Sequence, residues 1–320
     1  MSPPEVVAVA AGDARVARAA LADAWPDAPS AELRRAFAEE RVRRGGAAVA
    51  AEAPVAPGDR LEVLGEVRRI APRALAGLSL LARGGDVAIV AKPAGVATQP
   101  ERGADPVADR LRAGLLALLR GPGGELIRPR IAHRLDRETS GALAVALTRD
   151  ALRRLSEAFA AREVRKEYLA LVLGRPVEAG GVVDAALTPG AGRRARTIVA
   201  RDGKPARTRW EVAEAFGRFA LVRAWPETGR QHQVRAHLAH LGHPIVGDLL
   251  YGGQPLLLSA FKRSYRPSAR GERPLIERVA LHAAALAVPD VAGQPLAAEA
   301  PLPKDLRAGL AQLRRHGPRG

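Results

Sequence analysis

The 320-residue sequence contains no cysteine, which excludes disulfide frameworks, thiolate nucleophiles and cysteine-ligated zinc. It holds no apolar run long enough to span a bilayer, about 18 residues or more, so a transmembrane helix is excluded. The start, MSPPEVVAVAAGDA, lacks a basic n-region. A secretory signal is therefore not expected, and the chain reads as cytoplasmic with no membrane partner. No Walker A pattern occurs. Lysine is scarce, with five against forty-five arginines.

What remains is a soluble, globular composition, 47% hydrophobic and 26% charged. The length allows two domains, or one large domain with an appendage. The formal net charge of +16 attracts polyanions, of which nucleic acid is the commonest in the cytosol. Part of the arginine excess reflects composition alone. Residues 1–70 carry ten basic and eleven acidic side chains, so the excess belongs to the remainder. From Ala186 to Trp210, Arg193, Arg194, Arg196, Arg201, Lys204, Arg207 and Arg209 face a single Asp202. Such a segment is either a solvated loop or the border of an active-site cleft, and the imbalance favours the cleft.

Residues 1–70 form a small module by pattern. Arg15–Ala24 and Ser30–Arg41 have helical spacing, and Ala47–Ala51 and Arg60–Leu64 are strand-like pieces joined through the Pro57-Gly58-Asp59 turn. This order resembles the S-four-type RNA-binding domain. A linker at Ile70–Ala76 follows. Beyond it, strands are expected at Val87–Ala91, Gly141–Thr148 and Lys166–Leu173, with a hairpin of Thr208–Ala215 and Arg218–Trp225 around Gly217. Helices are expected after Asp150, taken as the cap, and over Gln231–Leu241, stopped by Gly242. Strands with inserted helices indicate an α+β domain built on a mixed, largely antiparallel sheet with flanking helices, spanning 77–298. Residues 299–320 read as a basic tail.

Two patterns carry no function. Gly190-x-Gly192-x-x-Ala195 superficially matches a dinucleotide fingerprint but leads into a strand rather than a helix, so no nucleotide cofactor is expected. His232, His237, His240 and His243 cluster without a carboxylate at metalloprotease spacing, and His237 shares the inward helical face with Val234 and Leu241. A core histidine is the better reading there, and no metal is expected.

The informative stretch is His133-Arg134-Leu135-Asp136-Arg137-Glu138-Thr139-Ser140-Gly141. A carboxylate between two arginines and beside hydroxyl and amide donors can serve as nucleophile or base. By itself it can equally be a structural ion pair. This H-R-L-D-x-x-T-S-G segment resembles the signature of the RluA-type RNA pseudouridine synthases at every specified position. Three further blocks agree in order: Asp86–Pro100, Lys166–Ala170, and Thr228–Arg235 continued by Gly242–Asp248 and Tyr251-Gly252. Leu281-His282-Ala283 is similar to the family's closing strand. The third block departs only at Gln231 and Val234, and an Arg- and Lys-containing insertion spans 254–278.

The resemblance implies isomerisation of uridine to pseudouridine within RNA, a reaction with no net co-reactant and hence no cofactor. It implies that Asp136 is the essential aspartate, that Tyr168 stacks on the target base and assists at C5, and that Arg230 pairs with the aspartate. Substrate contacts are expected from Lys92, His133, Arg134, Arg137 and Thr139, and backbone contacts from Arg193, Arg194 and Arg196. The expected target is large-subunit ribosomal RNA, with transfer RNA the alternative and the protein acting as a monomer. A non-catalytic RNA binder of the same fold has no need of the trio Asp136, Tyr168 and Arg230. A base-excising enzyme is disfavoured by the missing second carboxylate.

Overall fold

The computed structural model describes residues 4–9, 16–98, 106–190, 196–268, 271–289 and 294–317. Arg15, Gly192–Ala195 of the glycine pattern, and with them Arg193 and Arg194, lie outside the described residues. The first part comprises β1 (Glu5–Ala8), α1 (Ala17–Ala24), α2 (Ser30–Ala38), β2 (Val42–Arg44), β3 (Ala47–Ala48) and β4 (Arg60–Val63). Its strands form an antiparallel sheet in the order β1-β4-β2-β3. Leu21, Trp25, Leu33, Val42, Leu61 and Val63 close a core between this sheet and the two helices.

The second part contains β5 (Ser79–Gly84), β6 (Val87–Lys92), α3 (Pro106–Leu118), β7 (Arg130–Ile131), β8 (Ser140–Ala146), α4 (Arg149–Ala161), β9 (Arg165–Leu173) and β10 (Gly180–Asp184). It continues with β11 (Leu187–Pro189), β12 (Thr197–Val199), β13 (Arg207–Ala215), β14 (Phe219–Pro226), α5 (Gln233–His240), β15 (Leu281–Pro289), β16 (Pro295–Glu299) and α6 (Lys304–His316). Ten of these strands make one sheet whose main path runs β10-β13-β14-β9-β15-β8-β6-β5. Every described pairing in it is antiparallel except β15 with β8. The fold is thus α+β with a mixed, largely antiparallel sheet. β11 and β12 stand apart as a two-stranded ribbon.

The sheet is apolar on both faces at its centre, which explains the small, buried residues of β8. Ala142, Ala144 and Ala146 face Leu155 and Ala158 of α4. Leu143 and Val145 face the other way, toward Leu111 and Leu115 of α3. The cap of α4 is Thr148, whose Oγ1 accepts from the Ala151 N–H, rather than Asp150. Thr148 is still extended, so its hydroxyl reaches the free amide; Asp150 already lies inside the helix.

Of the segment read as a basic tail, residues 304–316 form α6. α6 buries Leu306, Leu310 and Leu313 in the core that also holds Phe216 and Phe219. Arg314 pairs with Glu214, and Arg278 with Asp305. The leucines repeat at helical spacing, but the intervening arginines and His316 make the segment read as solvated charge.

The two parts are fastened by arginines. Arg128, buried, donates through Nη1 to the carbonyls of Ala22, Trp25 and Ala28 at 3.2, 3.0 and 3.0 Å, and through Nη2 to Ser30 Oγ. Arg112 donates to Pro26 O and Ala28 O at 2.8 and 3.1 Å. These carbonyls lie at and beyond the C-terminus of α1, where the helix leaves acceptors unsatisfied. Asp23 also pairs with Arg130 and Arg149. The segment between the parts is tied to each, with Ile70 N–H on Asp27 O and Arg73 N–H on Ala113 O.

Arg128→Ala removes one donor group serving three carbonyls. It is expected to lower stability by about 1–3 kcal/mol, the penalty for stranding buried polar groups, and to expose residues 64–76 to protease. Thermal unfolding with limited proteolysis measures both; unchanged protection would show that the remaining contacts suffice.

Candidate active site

Three adjacent strands set the frame of the site. Tyr168 of β9 is opposite Ala283 of β15, and Ala283 is opposite Gly141 of β8. Gly141 has φ +120°, and a Cβ built there would lie 2.1 Å from Ala283 O. Only glycine permits β15 to approach that closely. The loop 133–139 enters β8 beside this row, which brings Asp136 and Tyr168 to one cleft of about 500 Å³.

The cation that pairs with Asp136 is Arg235, not Arg230. Arg235 Nη1 lies 3.1 Å from Asp136 Oδ2. Its Nε and Nη2 make a fork onto Asp248 at 2.7 and 2.8 Å. Burial works against the Arg235 charge, but the bond and charge of Asp248, reinforced by Asp136, outweigh it and hold the guanidinium above its ordinary value. Asp248 is itself buried. It follows Gly247, whose φ of +75° and 1.9 Å approach of a notional Cβ to Arg278 O admit no side chain.

Arg230 lines the same cleft, but its Nε donates to Pro205 O. The reason is local. Gln233 Oε1 accepts from the Arg230 N–H and from Thr228 Oγ1, while its Nε2 donates to Arg207 O and Thr208 Oγ1. The 228–230 loop is therefore pinned before α5 begins, and the inward-facing arginine is the one on the helix. Arg134 and Arg137 do not pair with Asp136 either. Arg134 is exposed at the cleft wall, and Arg137 lies 3.5 Å from Glu138.

Several expected substrate contacts prove to be internal. Lys92 is buried and its Nζ donates to the carbonyls of Pro93, Val96 and Arg137, stapling the Lys92–Gly95 turn to the 133–139 loop. Burial pushes its ammonium down to about 7, against the opposing charges of Asp136 and Glu138. With every proton turned to a carbonyl, it is a strut rather than a ligand. His133 Nε2 accepts from the Ala144 N–H, and the ring stacks on Phe159 at 4.5 Å. Burial pushes it down to about 3, with Lys166 adding to the effect, so it is neutral. Thr139 is buried, its amide bonded to Asp136 O. Arg196 differs in being exposed, with Nη1 donating to Leu250 O and its guanidinium 5.7 Å from the Tyr251 ring.

Tyr168 lines the cleft with its phenol pushed above its ordinary value by burial and then by the Asp136 charge. Two further groups were missed in the sequence. Lys166 lines the wall with Nζ on Thr228 O and is pushed down to about 8 by burial. His232 lies 3.9 Å from Asp136 Oδ2. The signal for both lies in the matched blocks, where Lys166 stands two residues from Tyr168 and His232 two residues from Arg230. His237 bonds Thr208 Oγ1 and Ala185 O, and His243 bonds Leu173 O, as core histidines do.

Residues 86–240 match a family model described as RNA pseudouridylate synthase. An uncharacterized RNA pseudouridine synthase of Chloroflexus aurantiacus is 42% identical over 69% of this chain, and the match spans 65% of that protein's length. The ribosomal large subunit pseudouridine synthase D of Xanthomonas campestris is 37% identical, covering 74% of this chain and 70% of its own. The solved structure of human RNA pseudouridylate synthase domain containing 1 matches 78% of this chain and 99% of its own, with TM-score 0.57 and 29% identity.

The neutral His133 gives a pH prediction. Its folded value of about 3 lies below the ordinary 6.5, so below 6.5 the unfolded chain binds a proton that the folded chain refuses. The contribution is whole above that pH and is lost progressively as pH falls toward 3. Unfolding midpoints measured across this window should fall, and fall less steeply in His133→Gln; equal slopes would refute the assignment.

Proposed function

The chain belongs to the RluA-type family of RNA pseudouridine synthases, and on that premise we propose that it isomerises uridine to pseudouridine in RNA. The observation that carries the proposal is the Asp136–Arg235 ion pair facing Tyr168 across one cleft. Asp136 acts on the ribose of the target nucleotide. Arg235 holds its carboxylate in one orientation, and being clamped by Asp248 it has little freedom of its own. A preset charge costs no reorganisation when the reaction occurs. Tyr168 offers its ring face to the uracil.

A uracil within a stem cannot reach Asp136, so the nucleotide is turned out of its helix into the cleft. The basic excess outside residues 1–70 favours the phosphate backbone. Large-subunit ribosomal RNA is the proposed target, supported by the Xanthomonas relative's name. The reaction is intramolecular, so no cofactor enters the proposal.

Asn is nearly isosteric with Asp but is neither nucleophile nor base. Asp136→Asn is expected to abolish tritium release from RNA labelled at uridine C5 while leaving RNA affinity intact. Arg235→Ala should be nearly as damaging, whereas Arg230→Ala should chiefly weaken binding. Activity in Asp136→Asn, or equal losses at both arginines, would contradict the assignment.

RNA affinity should fall steeply with salt. Replacing Arg193, Arg194 and Arg196 with Ser should flatten the slope of log affinity on log salt by about 0.7–0.9 for each phosphate contact removed. An unchanged slope in filter binding would place this segment away from the RNA.

A further inference from the structure

A second cavity, of about 850 Å³, lies on the reverse of the strand that carries Tyr168. Successive residues of a strand point to opposite faces, so Glu167 and Arg165 look away from the face on which Tyr168 meets the catalytic cleft. Strand pairing builds a row across that reverse face. Arg209 of β13 is opposite Trp225 of β14, and Glu167 of β9 is opposite Ala285 of β15, itself opposite Glu299 of β16. The Trp225 Nε1–H donates to Glu167 Oε2 at 3.2 Å and joins the two halves of the row. A second row, Arg165, Ala287 and Ala297, runs beside it.

Three alanines thus leave a flat, apolar floor where larger side chains would cover the sheet. The Trp225 indole stands in the wall, with the Arg209 guanidinium 3.7 Å from its ring centre. Arg162, Arg165 and Arg209 are exposed and form no ion pair among the described residues. Two of the three carboxylates in the lining are already answered. Glu167 lies 3.7 Å from Arg223 besides its bond to Trp225, and Glu227 lies 3.5 Å from Arg207. Unpaired cations beside a flat floor and an aromatic ring suit a nucleotide, whose phosphate takes the charge and whose base takes the stacking surface. The volume lies in the range of small-ligand sites, about 300–1,000 Å³. Arg162, Lys166, Pro226 and Glu227 line both this cavity and the catalytic cleft, so the two meet where β9 begins.

We propose that this cavity binds an unpaired nucleotide flanking the target uridine in the same RNA chain. Arg162 and Arg165 hold its phosphate, and its base lies on the alanine floor against Trp225. The role rests on the reading of the catalytic cleft as the seat of the target uridine. Glu299, which forms no ion pair among the described residues, offers its carboxylate as acceptor to a base that bears an amino group.

The test uses the full chain and a large-subunit ribosomal RNA transcript, with thermal unfolding run alongside. Trp225→Ala should weaken binding about 5–150-fold, the range for a lost base–aromatic stack. Ala297 is exposed, so Ala297→Glu keeps the strand pairing and sets a carboxylate on the floor; it should weaken binding as well. Transcripts with single abasic positions across the protein's footprint separate a direct contact from a structural effect. One of them should bind the wild type less tightly than the intact RNA does, and bind Trp225→Ala no less tightly. Equal losses in both proteins at every position, or wild-type affinity in Ala297→Glu, would overturn the proposal. A transcript that shows the expected pattern but is never converted to pseudouridine would instead bring down the reading of the catalytic cleft, and leave the cavity standing as a nucleotide site.

Discussion

The Arg235 guanidinium, buried between Asp248 and Asp136, is the constraint on which the site depends. A buried cation is tolerated only when its donors find well-placed acceptors. Here the fork onto Asp248 supplies two, and the third donor is left for Asp136. One interaction therefore fixes three distant segments: the turn after Ile245, the start of α5, and the loop entering β8. Each is shaped to serve it. Gly247 lets the turn press against Arg278 O, Gln233 pins the chain before the helix, and Lys92 ties the Asp136 loop to its neighbouring turn.

The sheet supplies the complementary constraint. β15 arrives late in the chain and inserts between β9 and β8, parallel to one and antiparallel to the other. It thereby joins the part of the sheet carrying Tyr168 to the part carrying the Asp136 loop. The closeness of its passage past Gly141 keeps the strand carrying Tyr168 and the strand entered by the Asp136 loop on either side of β15. A small residue at 141 is thus as much a condition of the chemistry as the charged residues are.

Much of this was legible in the sequence. Val87–Ala91, Lys166–Leu173 and the hairpin around Gly217 followed from alternation and turn residues, and Asp136 and Tyr168 from their blocks. The charge partner was not. Adjacency in sequence favours Arg134 and Arg137, and the family block draws attention to Arg230, but which arginine faces inward depends on where α5 begins. Lys92 and His133 read as ligands because polar residues in a motif suggest contact with substrate. The contacts that turn the Lys92 ammonium and His133 Nε2 onto backbone are a tertiary fact. In α6, dense arginine hid a three-leucine stripe. The short strands β1 and β2 were lost among alanine and arginine, whose periodicity is weak.

The Arg128 clamp has a bearing on the order of events during synthesis. Ala28 and Arg128 are 100 positions apart, so at about 5–20 residues per second the first module emerges about 5–20 s before its clamp. Throughout that interval the carbonyls of Ala22, Trp25 and Ala28 lack the Arg128 donor. The N-terminal part of the nascent chain can collapse early, but it acquires its final boundary only when the strand-forming region behind it leaves the ribosome.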